Sequence, residues 1–115
     1  MKITIAIELS EPKNEKDVQT MAAISSGQGK FELGDVCVTQ GITKNFTQAF
    51  VILCITRHTL GDWGDLDEED KESNNLALIG EERILSAYKS AEGKKLYVIT
   101  EWDRKLTTIL LPEEY

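Results

Sequence analysis

The segment HTLGDWGDLDEEDKESN, His58 to Asn74, holds six carboxylates within nine residues: Asp62, Asp65, Asp67, Glu68, Glu69 and Asp70. Carboxylates at that density can bind a hard cation, serve hydrolysis, attract a cationic partner or simply open a helix. Calcium needs oxygens on alternating loop positions around a glycine. Asp62, Asp65 and Asp67 miss that alternation, and no glutamate closes a twelve-residue loop, so no metal is expected. Hydrolysis would use His58 as base beside Asp62 and Asp65. Arg104 would clamp a phosphate, with Glu101 and Asp103 acting through a metal. His58 is the only histidine, and a lone histidine near a helix end is more often a cap or a surface residue. Cys54 precedes it by four residues, a spacing that a helix would close, but nothing supplies the orienting third group of a nucleophilic pair. The residues assign no catalytic side chain and no cofactor.

Two readings of the acidic stretch remain. In one it starts a helix. Asp65 caps it, Glu68 completes a capping-box-like pair, and Asp67 to Asp70 fill the first turn, where the helix dipole favours negative charge. In the other it is a recognition loop, with Trp63 as an apolar anchor between carboxylates and glycines. A second turn of similar type, Glu101-Trp102-Asp103-Arg104, follows later. If the two adjoin, Asp62, Trp63, Asp65, Asp67, Glu68, Asp70, Glu101, Trp102, Asp103 and Arg104 make one partner-binding surface.

The elements that must position these residues are those of a small domain. A chain of 115 residues, 41% hydrophobic and 29% charged, can bury a core without staples. The longest apolar run, Ala49 to Ile55, is too short to cross a bilayer, which takes about 20 residues. Glu8 interrupts the N-terminal apolar stretch, which reads as a strand over Ile3–Leu9 and not as a signal peptide. Cys37 and Cys54 lie in apolar surroundings without CxxC spacing, as buried thiols of a reducing cytoplasm do.

Lys16–Ser26 carries Val18, Met21, Ala22 and Ile24 at near-helical spacing, though Pro12–Lys30 reads equally as a linker. Lys30–Gly41 reads as a strand bent at Gly34, Phe46–Arg57 as a core helix, and Asp67–Ile79 as an acidic helix with Leu76 and Ile79 inward. The runs RILSAYK, KLYVITE and LTTILLP alternate and are separated by turns, which predicts an antiparallel meander. The expectation is an α+β fold: one domain, with a mainly antiparallel sheet of three to five strands packed by two helices. Residues 1–29 form an N-terminal strand and variable helix or linker, and residues 30–115 form the α+β core. Phe31, Val36, Val38, Phe50, Leu53, Leu76, Ile84, Leu85, Tyr97, Ile99, Ile109 and Leu111 are its expected interior.

The words RHTLGDWGDLDEEDKESNNLAL, RILSAY, LYVITEWDR and TTILLPEEY resemble those of a family of small proteins carried by plasmids, integrative elements and phages. FELGDVCVTQGI resembles that family's opening strand, so the likeness spans about the last 85 residues. The resemblance implies a mobile-genetic-element context and a compact fold, and brings no activity with it. Twenty acidic against thirteen basic residues give a net charge of −7. That sign repels phosphate backbones and suits a basic protein surface. The expected function is a non-catalytic, cytoplasmic accessory factor. Its partner would be a host nucleic-acid-acting defence enzyme, inhibited in anti-restriction or anti-CRISPR manner, with no direct nucleic-acid or membrane contact. The alternative is a small metal- or phosphate-dependent hydrolase built on His58, Asp62, Asp65 and Arg104.

Overall fold

A computed structural model describes residues 2–4 and 29–115. Strand β1 (Lys2–Thr4) and β2 (Asp35–Thr39) are followed by helices α1 (Gln40–Asn45), α2 (Gln48–Thr59) and α3 (Glu68–Gly80). Strands β3 (Ile84–Lys89), β4 (Lys95–Thr100) and β5 (Leu106–Leu110) complete the chain, with a 3-10 turn at Pro112–Glu114. The sheet runs in the order β1-β2-β5-β4-β3. Its pairings are antiparallel except β2 with β5, which are parallel across the helical crossover. The fold is therefore α+β, with a mainly antiparallel sheet as the alternating runs predict. The rest of the Ile3–Leu9 strand and the helix expected over Lys16–Ser26 lie outside the described residues.

The meander forms because each strand alternates a side chain toward the helices with one away from them. Val38, Leu96, Val98, Ile109 and Tyr88 meet Val51, Cys54 and Ile55 of α2 in the main core. Gly93, with φ of +83°, makes the turn expected between the runs that form β3 and β4. Gly34, with φ of +66°, supplies the expected bend before β2. There a Cβ would collide with the Lys105 backbone, so the close approach itself demands glycine.

Two expectations about the helices change. Helix α2 buries Val51, Ile52, Cys54, Ile55, Thr56, His58 and Thr59; of the face that the spacing predicts, Phe46, Ala49, Phe50, Leu53, Cys54 and Arg57, only Cys54 is buried and the others are half-buried. Phe46 and Phe50 stack on each other at the rim, ring centres 5.4 Å apart, and leave the branched side chains to face the sheet. On α3 the inward residues are Asn74 and Ala77, so Leu76 belongs to the surface and not the core. Of the expected interior, Val38, Ile84, Ile99 and Ile109 are buried, and Phe31, Val36, Phe50, Leu53, Leu85, Tyr97 and Leu111 are half-buried.

Candidate functional site

The GDWGD loop joins α2 to α3, and glycines at both turning points give it its shape. Gly61 and Gly64 have φ of +80° and +76°, the left-handed region that costs other residues about 1–2 kcal/mol. Trp63 between them turns inward and is 4% exposed. Its indole N–H donates to Asn75 Oδ1 at 2.9 Å, and its ring lies against Phe31 and His58, centres 6.3 and 6.0 Å away. Trp63 is thus an interior anchor, not an exposed one: a second small core of Trp63, Ala77 and Ile84 forms beneath Phe31, Leu66 and Leu78. Burying a ring of this size secures the loop better than glycine-flanked carboxylates alone could.

The loop also seals the sheet. β3 is an edge strand, and its outward amides would otherwise invite another strand. Ala87 N–H donates to Trp63 O at 3.2 Å, and Asp65 N–H donates to Ala87 O at 2.6 Å. Two residues earlier the Asn74 side chain takes over: its Nδ2 donates to Leu85 O at 2.6 Å and its Oδ1 accepts from Leu85 N–H at 3.2 Å. A side-chain amide thus imitates a neighbouring strand.

Asp62 is held by its own helix. Arg57 donates to both its oxygens, Nε to Oδ2 at 2.7 Å and Nη2 to Oδ1 at 3.2 Å, and Gly64 N–H donates to Oδ1. The Arg57 hydrogen bond holds the Asp62 carboxyl below its ordinary range. The guanidinium in turn lies over the Tyr88 ring, 4.7 Å from its centre, and Tyr88 O–H donates to Asp62 O at 2.6 Å. Asp65 faces Lys89 at 3.6 Å. These carboxylates are structural fasteners of the loop.

His58 is wholly enclosed. Its Nδ1 lies 2.6 Å from Ser86 Oγ and its Nε2 lies 2.9 Å from Thr100 Oγ1. Thr100 Oγ1 lies 2.7 Å from Thr107 Oγ1, and Thr107 donates to Leu33 O at 2.7 Å. A carbonyl only accepts, so the Thr107 proton points to Leu33, the Thr100 proton to Thr107, and the imidazole proton sits on Nε2. Ser86 must then donate to Nδ1. Burial, helped by the charge of Arg104, pushes His58 down to about 3. A neutral ring with both nitrogens occupied cannot act as a base on an external substrate. Cys54 is no better placed: burial pushes its thiol up to about 12, far from the thiolate that nucleophilic attack requires.

Arg104 is also committed. Its Nη1 donates to Glu82 O at 2.6 Å and to Glu101 O at 3.1 Å, and its Nη2 donates to Ala77 O at 2.9 Å. It therefore satisfies carbonyls at the C-terminal end of α3, where a cation also complements the helix dipole. Glu101 pairs with Arg83 at 3.1 Å, and Asp103 Oδ1 accepts from Lys105 N–H within its own turn. The hydrolytic constellation does not assemble: His58 is inside, Asp62 and Asp65 hold a loop, and Arg104 holds a helix end. Among the described residues no group of three or more His, Cys, Asp or Glu side chains is placed to bind a metal. A hollow of about 240 Å³ beside α1 and α2 is lined by Val38, Ile42, Thr43, Phe46, Gln48, Val51 and Ile52, none of which titrates.

The accessible part of the expected surface is α3 and the turn beside its end. Asp67, not Asp65, is the N-cap, accepting from Asp70 N–H at 2.8 Å. Glu68, Glu69 and Asp70 fill the first turn as expected, and Glu68 has Lys71 3.7 Å away. Among the described residues no cation pairs with Glu69, Asp70 or Glu72. The same helix exposes two large apolar side chains, Leu76 at 58% and Ile79 at 84%. They face out because Asn74 must reach Leu85, which turns Ala77 and half of Leu78 toward the sheet. Trp102, 63% exposed, stands in the β4–β5 turn, which Arg104 ties to the end of α3. Leu76 and Ile79 escape a reading by periodicity, because an apolar pair three apart signals an inward face on most helices. The available signal is that Glu68 and Glu72 occupy that same stripe.

Comparison of the chain with family models, with curated proteins and with solved structures finds no match, so the function is to be read from this geometry.

Proposed function

We propose that the protein is a non-catalytic accessory factor of a mobile genetic element that binds a basic surface of a partner protein. The partner class is a host enzyme acting on nucleic acid, met in the cytoplasm and inhibited by occupation of its cationic groove. One observation carries the reading: the outer face of α3 exposes carboxylates, of which Glu69 and Glu72 have no cation partner among the described residues, together with large apolar side chains, beside the exposed Trp102. Exposed apolar side chains of this size lower solubility, and Glu72 adds a negative charge beyond the first turn, where the helix dipole no longer favours it. A face that keeps both is better explained by use than by folding. The net charge of −7 supports a cationic partner over a nucleic acid. Among the described residues no helix is long and apolar enough to cross a membrane.

The binding surface in this proposal is narrower than the ten residues read from the sequence. Glu68, Trp102 and Asp103 stay in it, and Asp70 is set aside because it lies on the side of α3 that carries the buried Asn74 and Ala77. Asp67 is set aside as a cap, Trp63 as buried, and Asp62, Asp65, Glu101 and Arg104 as intramolecular partners. Glu69, Glu72, Leu76 and Ile79 join it.

The test is affinity capture from host lysate at moderate salt, comparing the native chain with the variant Glu68→Lys, Glu69→Lys, Glu72→Lys. A nucleic-acid enzyme retained by the native chain and released by charge reversal supports the proposal. Retention of nothing, or of proteins indifferent to the reversal, refutes it.

A further inference from the structure

Resting on that binding role, we infer that the occupant of the α3 face is a basic amphipathic helix, its cationic turns over Glu68 and Glu72 and its apolar turns over Leu76 and Ile79. At about 100° per residue, Glu68, Glu72, Leu76 and Ile79 fall within about 80° of one another. They form a single stripe opposite the buried Asn74 and Ala77. Along the axis the stripe changes character only once. Carboxylates occupy its first half and branched apolar chains its second, over about 16 Å at 1.5 Å per residue.

That segregation discriminates between occupants. A uniformly basic surface would satisfy Glu68 and Glu72 but would set charge against Leu76 and Ile79, at a desolvation cost. A uniformly apolar groove would strand the carboxylates. A second copy fits poorly, since antiparallel pairing sets carboxylates against leucine and isoleucine, and parallel pairing sets carboxylates against each other. A helix of about twelve residues with lysine or arginine on one half of a stripe and leucine or isoleucine on the other matches both halves at the same rise. The four α3 side chains are already on the surface, so substituting them leaves the core intact.

The test uses the full chain and two fluorescent synthetic peptides of identical composition. One segregates its basic and apolar residues along the stripe, and the other interleaves them. Anisotropy titration at about 0.15 M salt, where exposed charges are partly screened, measures both affinities. The segregated peptide is expected to bind at least about tenfold more tightly. Leu76→Ser with Ile79→Ser should erase that preference, and Glu68→Lys with Glu72→Lys should weaken the segregated peptide by a similar factor. Equal binding of the two peptides, binding of neither, or a preference that survives Leu76→Ser with Ile79→Ser overturns the inference. A lysate partner that is lost on charge reversal yet indifferent to Leu76→Ser with Ile79→Ser would leave the accessory role standing and remove the helix. Peptide discrimination without any lysate partner would do the reverse.

Discussion

Acidification should weaken this protein through His58 in a way that one substitution can remove. The unfolded imidazole titrates near its ordinary value of 6.5, whereas in the folded state burial holds it to about 3. Above 6.5 both states are neutral and the shift contributes nothing. As pH falls below 6.5 the unfolded chain binds a proton that the folded chain refuses, so stability declines, and the loss saturates near 3. At pH 5 the difference amounts to about 2 kcal/mol, and at pH 4 to about 3 kcal/mol. In His58→Gln the amide can donate to Thr100 and accept from Ser86, as the Nε2-protonated ring does, without titrating. Urea unfolding of both proteins at pH 7 and pH 5 isolates the effect, because every carboxylate is common to the two. The native chain should lose about 2 kcal/mol more than the variant, whatever constant offset the substitution brings. Equal losses would refute the enclosed, neutral histidine and with it the proton order from Ser86 to Leu33.

Three further outcomes follow from the loop and the sheet edge. Gly64→Ala would drive a Cβ into Ala87 O and should cost at least about 3 kcal/mol. Gly93→Ala has the same backbone sign but nothing within 4 Å, and should cost only about 1 kcal/mol by thermal unfolding. Asn74→Ala leaves the Leu85 N–H and C=O unmatched, which should cost about 2–3 kcal/mol and speed hydrogen exchange at the Leu85 amide. Trp102→Phe leaves only the enclosed indole and should emit at shorter wavelength with weak acrylamide quenching. Trp63→Phe should leave an emission that is red-shifted and readily quenched, and reversed behaviour would return Trp63 to the surface.

The parts of the fold legible in the sequence are those fixed by neighbours a few residues away. RILSAYK, KLYVITE and LTTILLP alternate because one face of each strand meets α2 and α3, and Gly34 and Gly93 mark turns that require positive φ. The start of α3 follows from its acidic first turn, whereas its end is set at Glu81, which takes the left-handed cap with φ of +53° one residue beyond Gly80. What stays hidden depends on distant backbone. Arg104 reads as a phosphate clamp until its acceptors are seen to be carbonyls of Ala77 and Glu82, 27 and 22 residues back. Trp63 reads as an exposed turn because much of its cover, Phe31 and Ile84, comes from two other parts of the chain. The parallel pairing of β2 with β5 likewise spans the whole helical crossover, and no local pattern announces it.

The closure of β3 by an asparagine amide and a glycine-rich loop has a consequence for assembly. Chains that recruit partners by donating or accepting a strand need a free row of amides, and here that row is filled at both Leu85 and Ala87. Growth into ribbons or fibrils from this side would first require the 61–75 segment to peel away. At this edge of the sheet, association is thereby turned away from main-chain templating, which is unselective, and left to side chains.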